Sequence, residues 1–284
     1  MKKKAVISID VEDWYHLEYF KDNLKDISQS ILEEGINNFT EIIKNEDIKA
    51  TFFVVGELIS NNKNLLINIL NQGHEISGHS YNHIRPLTQS LDEFKLDSTK
   101  LLVELKDKLN VVNPGYRAPC FSLENERLNI LKELNYSYDS SKISAGFHPL
   151  YGNINIENYE KVSDNVYRDK IFTEFELPTQ RFLSKNIPIS GGGYLRILPW
   201  FLFKYLLKKY LKENDTYFFF IHPFELTNKK VSLPKDSSIV SRLRFRIGRL
   251  HAASRFKKLI KILKKEGFEF VTFSDFNKEI NNLK

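Results

Sequence analysis

Short apolar runs alternate with longer stretches of helical spacing from residue 4 to about residue 140. "KAVISI" (4–9) and "KATFFVV" (49–55) are β-branched or aromatic runs of strand length. Between them, Ile31, Leu32, Ile36, Phe39, Ile42 and Ile43 recur at the spacing of a helix packed by one face, over about 28–44. "ELISNNKNLLINILNQG" reads as the next helix, closed by Gly73 in the position after its end. "HEISGHS" is a strand with its exit loop, and Ser90 with Glu93 opens a further helix through a capping box. "GYRAP" (115–119) is a strand end, "ENERLNILKELN" a helix and "YSYDSS" the strand after it. Such alternation predicts parallel strands crossed over by helices, in a sheet or a barrel. Chemistry in such folds gathers where loops converge at the C-terminal ends of the strands.

Beyond residue 144 the texture changes. Residues 144–196 are polar and irregular with interspersed aromatics, which predicts an inserted loop region or short antiparallel strands. "FTEFELP" (172–178) and "SGGGYLRILP" (190–199) look strand-like. A helix over about 200–212, a buried strand "TYFFFIHPFE" (216–225), a helix over about 252–266 and a strand "FEFVTF" (268–273) complete the chain. There is no internal repeat and no Pro/Ser-rich linker, so one domain over 1–284 is expected. The 22 Phe and 13 Tyr supply core and groove material, and no apolar run approaches the roughly 18 residues that a membrane-spanning helix needs. One cysteine, Cys120, makes no disulfide within the chain and fits a reducing, cytoplasmic setting.

Four segments carry residues suited to chemistry. In "SIDVEDW", Asp10 and Glu12 lie two apart and would share a strand face, with Asp13 following on the turn. Carboxylates so close repel, and need a cation or hydrogen-bond donors to stay ionised together. In "HSYNH", His79 and His83 are four apart and would share a face if the segment were helical. Two histidines plus one carboxylate form a three-ligand set with open positions, which is the pattern of a catalytic rather than a closed structural metal site. Arg117 in "GYRAP" is a strand-end cation suited to orienting a carboxylate. His222 emerges from a buried strand and suits a general acid, with Asp139 in "YDSS" a candidate to hold its tautomer. Each alone has an ordinary reading: a solvated turn, a surface pair, a surface arginine, a core histidine.

Taken in order, these segments resemble the polysaccharide deacetylases of the NodB-homology type, carbohydrate esterase family 4. "SIDVED" is similar to that family's first motif, "HSYNH" to its H-S/T-x-x-H, "YRAP" to its R-x-P, "YDSS" to its fourth and "IHP" to its last. "ATFFVVGE" (50–57) is similar to its second strand, and the likeness runs from about residue 5 to 225. The resemblance implies a distorted (β/α) barrel of about seven parallel strands and a metal-dependent hydrolase that removes an acetyl group from an N-acetylated sugar. It implies His79 and His83 as metal ligands, Asp10 as general base, Arg117 as its partner, and His222 as general acid tuned by Asp139. The ion expected is divalent, with zinc first and cobalt, nickel or iron as alternatives. The family's usual T-F-D-D-G is D-V-E-D here, so the metal carboxylate falls to Glu12 or, as the alternative, Asp13. Its R-P-P-Y-G is "RAPCF", which assigns the backbone oxyanion donor to Cys120. "DVEDW", "SGGGY" and "HPFE" together resemble a cytosolic branch linked to surface-polysaccharide biosynthesis.

The glycines of "SGGGYLRILP" permit close approach to a ligand, with Tyr194 and Arg196 lining a sugar groove, or else form a plain flexible loop. Candidate substrates are an N-acetylated sugar, an oligosaccharide or a lipid-linked glycan. The basic stretch 242–265 reads as an amphipathic helix covering the barrel, or as a peripheral contact with an anionic membrane surface. No nucleic-acid reader motif accompanies it. The competing classes are a catalytically silent carbohydrate-binding member of the fold and a metal-independent cyclic-amide hydrolase.

Overall fold

A computed structural model describes residues 2–21, 29–146 and 148–282. Its strands are β1 (Lys4–Val11), β2 (Thr51–Val54), β3 (Glu75–Gly78), β4 (Tyr138–Asp139), β5 (Glu160–Ser163), β6 (Val166–Asp169), β7 (Phe172–Phe175), β8 (Thr179–Phe182), β9 (Lys185–Pro188), β10 (Thr216–Ile221) and β11 (Glu269–Phe270). Its helices are α1 (Leu32–Asn45), α2 (Lys63–Asn71), α3 (Leu91–Leu109), α4 (Asn125–Glu133), α5 (Gly192–Ile197), α6 (Trp200–Glu213), α7 (Ile239–Arg246), α8 (Arg249–Lys265) and α9 (Phe273–Asn282).

A parallel ladder runs β10-β1-β2-β3. It continues through single bridges from Gly78 to Tyr116 and from Tyr116 to Asp139, then from β4 to β7, also in parallel. Gly191 bridges Phe220 of β10 in parallel, and Ile189 N donates to Pro178 O (3.2 Å), so the segment between them spans the remaining side of the ring. The fold is α/β with helices outside, as the alternation predicts, and it closes into a distorted barrel, as the resemblance implies. β1 pairs with both β10 and β11, so the two ends of the chain share one sheet.

Side-chain alternation divides inside from outside. Along β1, Ala5, Ile7, Ile9 and Val11 face the helices in the main apolar core. Val6 instead joins Phe53, Tyr138, Phe175, Phe218 and Phe273 in a cluster that fills the barrel. Ser8 and Asp10 take the inward side of Val6, one strand step higher each. The same parity along β10 turns Phe218 and Phe220 inward and, past its end, His222. The barrel is thus apolar at one end and polar at the C-terminal ends of its strands.

Several elements differ from expectation. "SGGGYLRILP" is not a strand: Gly192–Ile197 is the short helix α5. "FEFVTF" keeps only two strand residues, because Thr272 starts α9, its Oγ1 accepting from Asp275 N (3.1 Å) and its carbonyl from Phe276 N (3.0 Å). Residues 144–196 hold the antiparallel strands β5–β6–β7 and the hairpin β8–β9. The Ser90–Glu93 capping box forms as read, with both reciprocal bonds. Residue 28, the expected start of the first helix, lies outside the described residues.

Candidate active site

Glu12, His79 and His83 offer one ligand atom each, all within 4.8 Å of one another, and all three side chains are buried. They do not meet by the expected routes. β1 ends at Val11, and a tight turn, in which Glu12 N donates to Asp10 O (2.9 Å), brings the Glu12 carboxylate to the mouth. The segment 79–83 is not helical. Ser80 and His83 sit in left-handed backbone (φ 62° and 53°), and this loop, rather than a helix face, brings the two rings to 5.0 Å.

These residues fit a divalent cation. Glu12 Oε2 lies 4.0 Å from His79 Nε2 and closer to His83 Nε2, and is buried without a well-formed hydrogen bond. A carboxylate oxygen so placed calls for a positive partner. His79 Nδ1 is within 2.7 Å of Arg117 O, which fixes the ring and presents Nε2. Burial and the neighbouring His83 outweigh the pull of Asp10 and Glu12, bringing the His79 imidazole down to about 4, so it is neutral and able to ligate at neutral pH. Burial opposes ionisation of Glu12, yet His83, His222 and His79 hold it well below the usual carboxylate range. Asp13 is not in this group. Its Oδ1 accepts from Trp14 N (2.8 Å) and Ile31 N (3.3 Å), capping the turn 14–16, so the alternative ligand has a structural position.

Beside the trio lies a second, bonded pair. Arg117 is fully buried and its Nη1 donates to Asp10 Oδ1 (2.8 Å) and Ser8 Oγ (2.9 Å). Its Nε and Nη2 donate to Ser140 O (3.1 Å) and Ser140 Oγ (2.9 Å), and its guanidinium lies 4.1 Å from the centre of the Phe53 ring. With every face engaged, Arg117 fixes Asp10 in one rotamer. The other oxygen, Asp10 Oδ2, is 4.0 Å from His222 Nε2.

The partner of His222 is not Asp139. Tyr138 occupies the inward position of β4, so Asp139 points away from the barrel and Ser140 returns inward to Arg117. Asp139 accepts instead from Ser141 N and Oγ (both 2.8 Å) and stands opposite Glu174 on β7. Burial raises both carboxyls, Asp139 to about 6, and the neighbouring Asp139 charge pushes Glu174 further. His222 Nδ1 faces Glu225 Oε2 at 3.0 Å, and Glu225 Oε1 accepts from Arg196 Nε (2.6 Å). Burial alone would lower His222, but Glu225, Glu12 and Asp10 raise it to about 9. Burial disfavours the Glu225 charge, while Arg196 and His222 bring it down to about 2. Arg196 therefore acts on the site through Glu225. Its Nη1 is held by the carbonyls of Arg244 and Ile247, and the residue lines the cleft beside Tyr194.

These groups open into a cleft of about 470 Å³. Its walls include Cys120, Phe121, Leu198, Phe220 and Phe224, and the 144–196 region adds His148, Tyr151 and Tyr194. His148 and Tyr151 stack at 3.9 Å, and Tyr194 lines the same wall. Cys120 sits in a left-handed turn (φ 54°) at the wall; burial and nearby Glu12 push its thiol up to about 12, so it is a neutral, inert side chain.

Sequence reasoning assigned no role to Ser8, Ser140, Glu225 or Tyr151. For Glu225 a signal was present: His222 and Glu225 stand three apart, the capping-box spacing, and Glu225 Oε2 also accepts from His222 N (2.9 Å).

A profile of the polysaccharide deacetylase family matches residues 19–138, and a domain of unknown function, DUF3473, matches residues 140–277. The chain is 24% identical over 224 residues to the peptidoglycan deacetylase of Helicobacter pylori, covering 78% of this chain and 72% of that protein. A Mycobacterium smegmatis structure assigned as a polysaccharide deacetylase superposes with a TM-score of 0.63 at 17% identity, over 99% of this chain and 92% of that one. PuuE allantoinase superposes equally well, at 0.63 and 11% identity, over 99% and 90% of the two chains. The two superpositions speak of fold alone.

Proposed function

We propose that this chain, which belongs to the polysaccharide deacetylase family, is a metal-dependent hydrolase that removes the acetyl group from an N-acetylated amino sugar of a glycan or glycan precursor. The observation that carries the reading is one cleft in which Glu12, His79 and His83 converge beside an Asp10–Arg117 pair and a Glu225-bound His222. A divalent ion held by Glu12, His79 and His83, with zinc the first candidate, would polarise the amide carbonyl and acidify an attacking water.

The chain's own residues do the proton work. Asp10, oriented by Arg117, accepts a proton from the attacking water through Oδ2. The backbone N–H of Cys120 suits the oxyanion that forms at the carbonyl carbon. His222, protonated at neutral pH and oriented by Glu225, gives its Nε2 proton to the departing amine nitrogen. The C–N bond breaks, leaving acetate and the free amino sugar. Stacked His148 and Tyr151, with Tyr194, provide aromatic surface for the sugar ring. A chain with a single cysteine suits a reducing, cytoplasmic location.

The test pairs metal content with turnover. Purified wild type should carry one zinc-class ion per chain by elemental analysis and release acetate from short N-acetylglucosamine oligomers. His79→Ala should lose both while keeping the wild-type circular dichroism spectrum. A His79→Ala variant that retains metal and activity would remove the ligand assignment.

A further inference from the structure

One face of the molecule is greasy and basic where the barrel has no need of either. α7 is anchored by Phe245, which is buried with Trp14, Phe20 and Phe224 and stacks on Phe224 at 5.2 Å. The opposite side of the same helix carries Ile239, Val240 and Leu243, 77%, 58% and 53% exposed. A helix packed against a domain ordinarily turns polar residues outward; this one turns apolar residues both ways. Ile247 and Leu250 extend the exposed apolar side chains into the start of α8, and Ile197 adds another from α5. α5 is tied to α7 directly, since Arg196 donates to the carbonyls of Arg244 and Ile247. Ile197 and Arg244 also line the catalytic cleft, so the apolar face adjoins its mouth.

Charge is concentrated in the same place. Residues 228–250 contain seven of the chain's 42 Lys and Arg and one of its 36 Asp and Glu. The remainder of the chain therefore has 35 of each, and the entire formal net charge of +6 belongs to this segment. Lys229, Lys230, Lys235, Arg244 and Arg246 of the segment are exposed.

We infer that this face docks the enzyme on an anionic lipid bilayer, presenting the cleft mouth to a glycan carried at the membrane surface. Exposed Ile, Val and Leu interleaved with Lys and Arg are what an interfacial helix needs, with apolar side chains entering the acyl boundary and cations meeting acidic headgroups. A polyanion such as a nucleic acid or an acidic glycan would engage the cations but offer nothing to the apolar residues. A second copy in a two-fold dimer would cover the apolar residues but set the same basic segment against itself. The docking stands on this face alone; the substrate it implies, an N-acetylated sugar on a lipid carrier, rests on the deacetylase reading.

The test is flotation of the full chain with phosphatidylcholine vesicles, with and without phosphatidylglycerol, at low and high salt. The chain should float with the anionic vesicles only, and high salt should release it. The triple variant Ile239→Ser, Val240→Ser, Leu243→Ser should bind these vesicles roughly tenfold more weakly or worse. It should keep wild-type metal content and wild-type acetate release from soluble oligosaccharides. Wild type that fails to float with anionic vesicles overturns the inference, as does a triple variant that floats as well as wild type. A solution dimer that the triple variant dissociates, without vesicle binding by either protein, overturns it in favour of self-association. Acetate release in the same preparations separates failure of docking from failure of the deacetylase reading.

Discussion

Glu225 governs His222 at the level of a single hydrogen bond. The Nδ1···Oε2 contact of 3.0 Å holds the ring and favours its protonated form, and Arg196 keeps Glu225 ionised to do so. A general acid works only while protonated, so the rate should fall as pH rises through the His222 value, which is raised to about 9. Glu225→Gln removes the charge that raises it. The alkaline limb of kcat/KM should then move to lower pH, whereas a purely structural role for Glu225 would lower the rate at every pH alike. Asp10→Asn keeps the shape of the Arg117 contact but not the proton acceptor. It should retain metal by elemental analysis and lose on the order of 10²- to 10⁴-fold in kcat; normal turnover would refute Asp10 as base. Asp10, Glu12, Arg117 and the histidines His79, His83 and His222 were legible as a set because each ends or follows a strand. Glu225 escaped because it sits inside a turn that looks like plain capping, and Asp139 was given the wrong neighbour because a two-residue strand does not declare which residue faces inward.

At the scale of elements, α5 is the piece that periodicity missed. Three consecutive glycines mask any helical pattern, and their use appears only in three dimensions. A Cβ on Gly192 would lie 2.1 Å from Glu225 Oε2, so the bare backbone lets that carboxylate reach His222. Gly193 has open space around its missing Cβ. Gly192→Ala should therefore shift the alkaline limb as Glu225→Gln does, while Gly193→Ala should leave the pH profile unchanged. Equal profiles for the two alanine variants would separate α5 from the tuning of His222. Elsewhere the elements followed their sequence signals closely. α1, α3 and the strands β1, β2 and β10 have strong periodicity or unbroken apolar runs, whereas the 268–273 run was cut short by a Thr cap that apolarity alone hides.

Across the whole molecule, the barrel seam between β4 and β7 carries a buried acid pair, Asp139 with Glu174. Burial raises both, Asp139 from 3.8 to about 6, and the Asp139 charge raises Glu174 further. The folded state thus binds protons that the unfolded chain releases earlier, so stability is fully present below the ordinary carboxylate range and declines as pH rises through the raised values. Glu174→Gln should flatten this decline, measured as Tm from mildly acidic to neutral pH. An unchanged slope would show that the pair does not titrate in this way. The fold class was legible because strand and helix alternate in sequence; that alternation left sheet and barrel open, since closure depends on single bridges at Tyr116 and Gly191 that leave no periodic trace, and the barrel was expected from the family resemblance alone.

PuuE allantoinase shows that this barrel is shared with a protein named for a different reaction, so the decisive measurement is of chemistry. It is acetate release from N-acetylated amino-sugar oligomers by the purified chain, before chelation, after it, and after zinc is restored. The Glu12–His79–His83 site predicts release that chelation abolishes and zinc returns. Release that persists unchanged in the chelator would contradict the metal-dependent account at its centre.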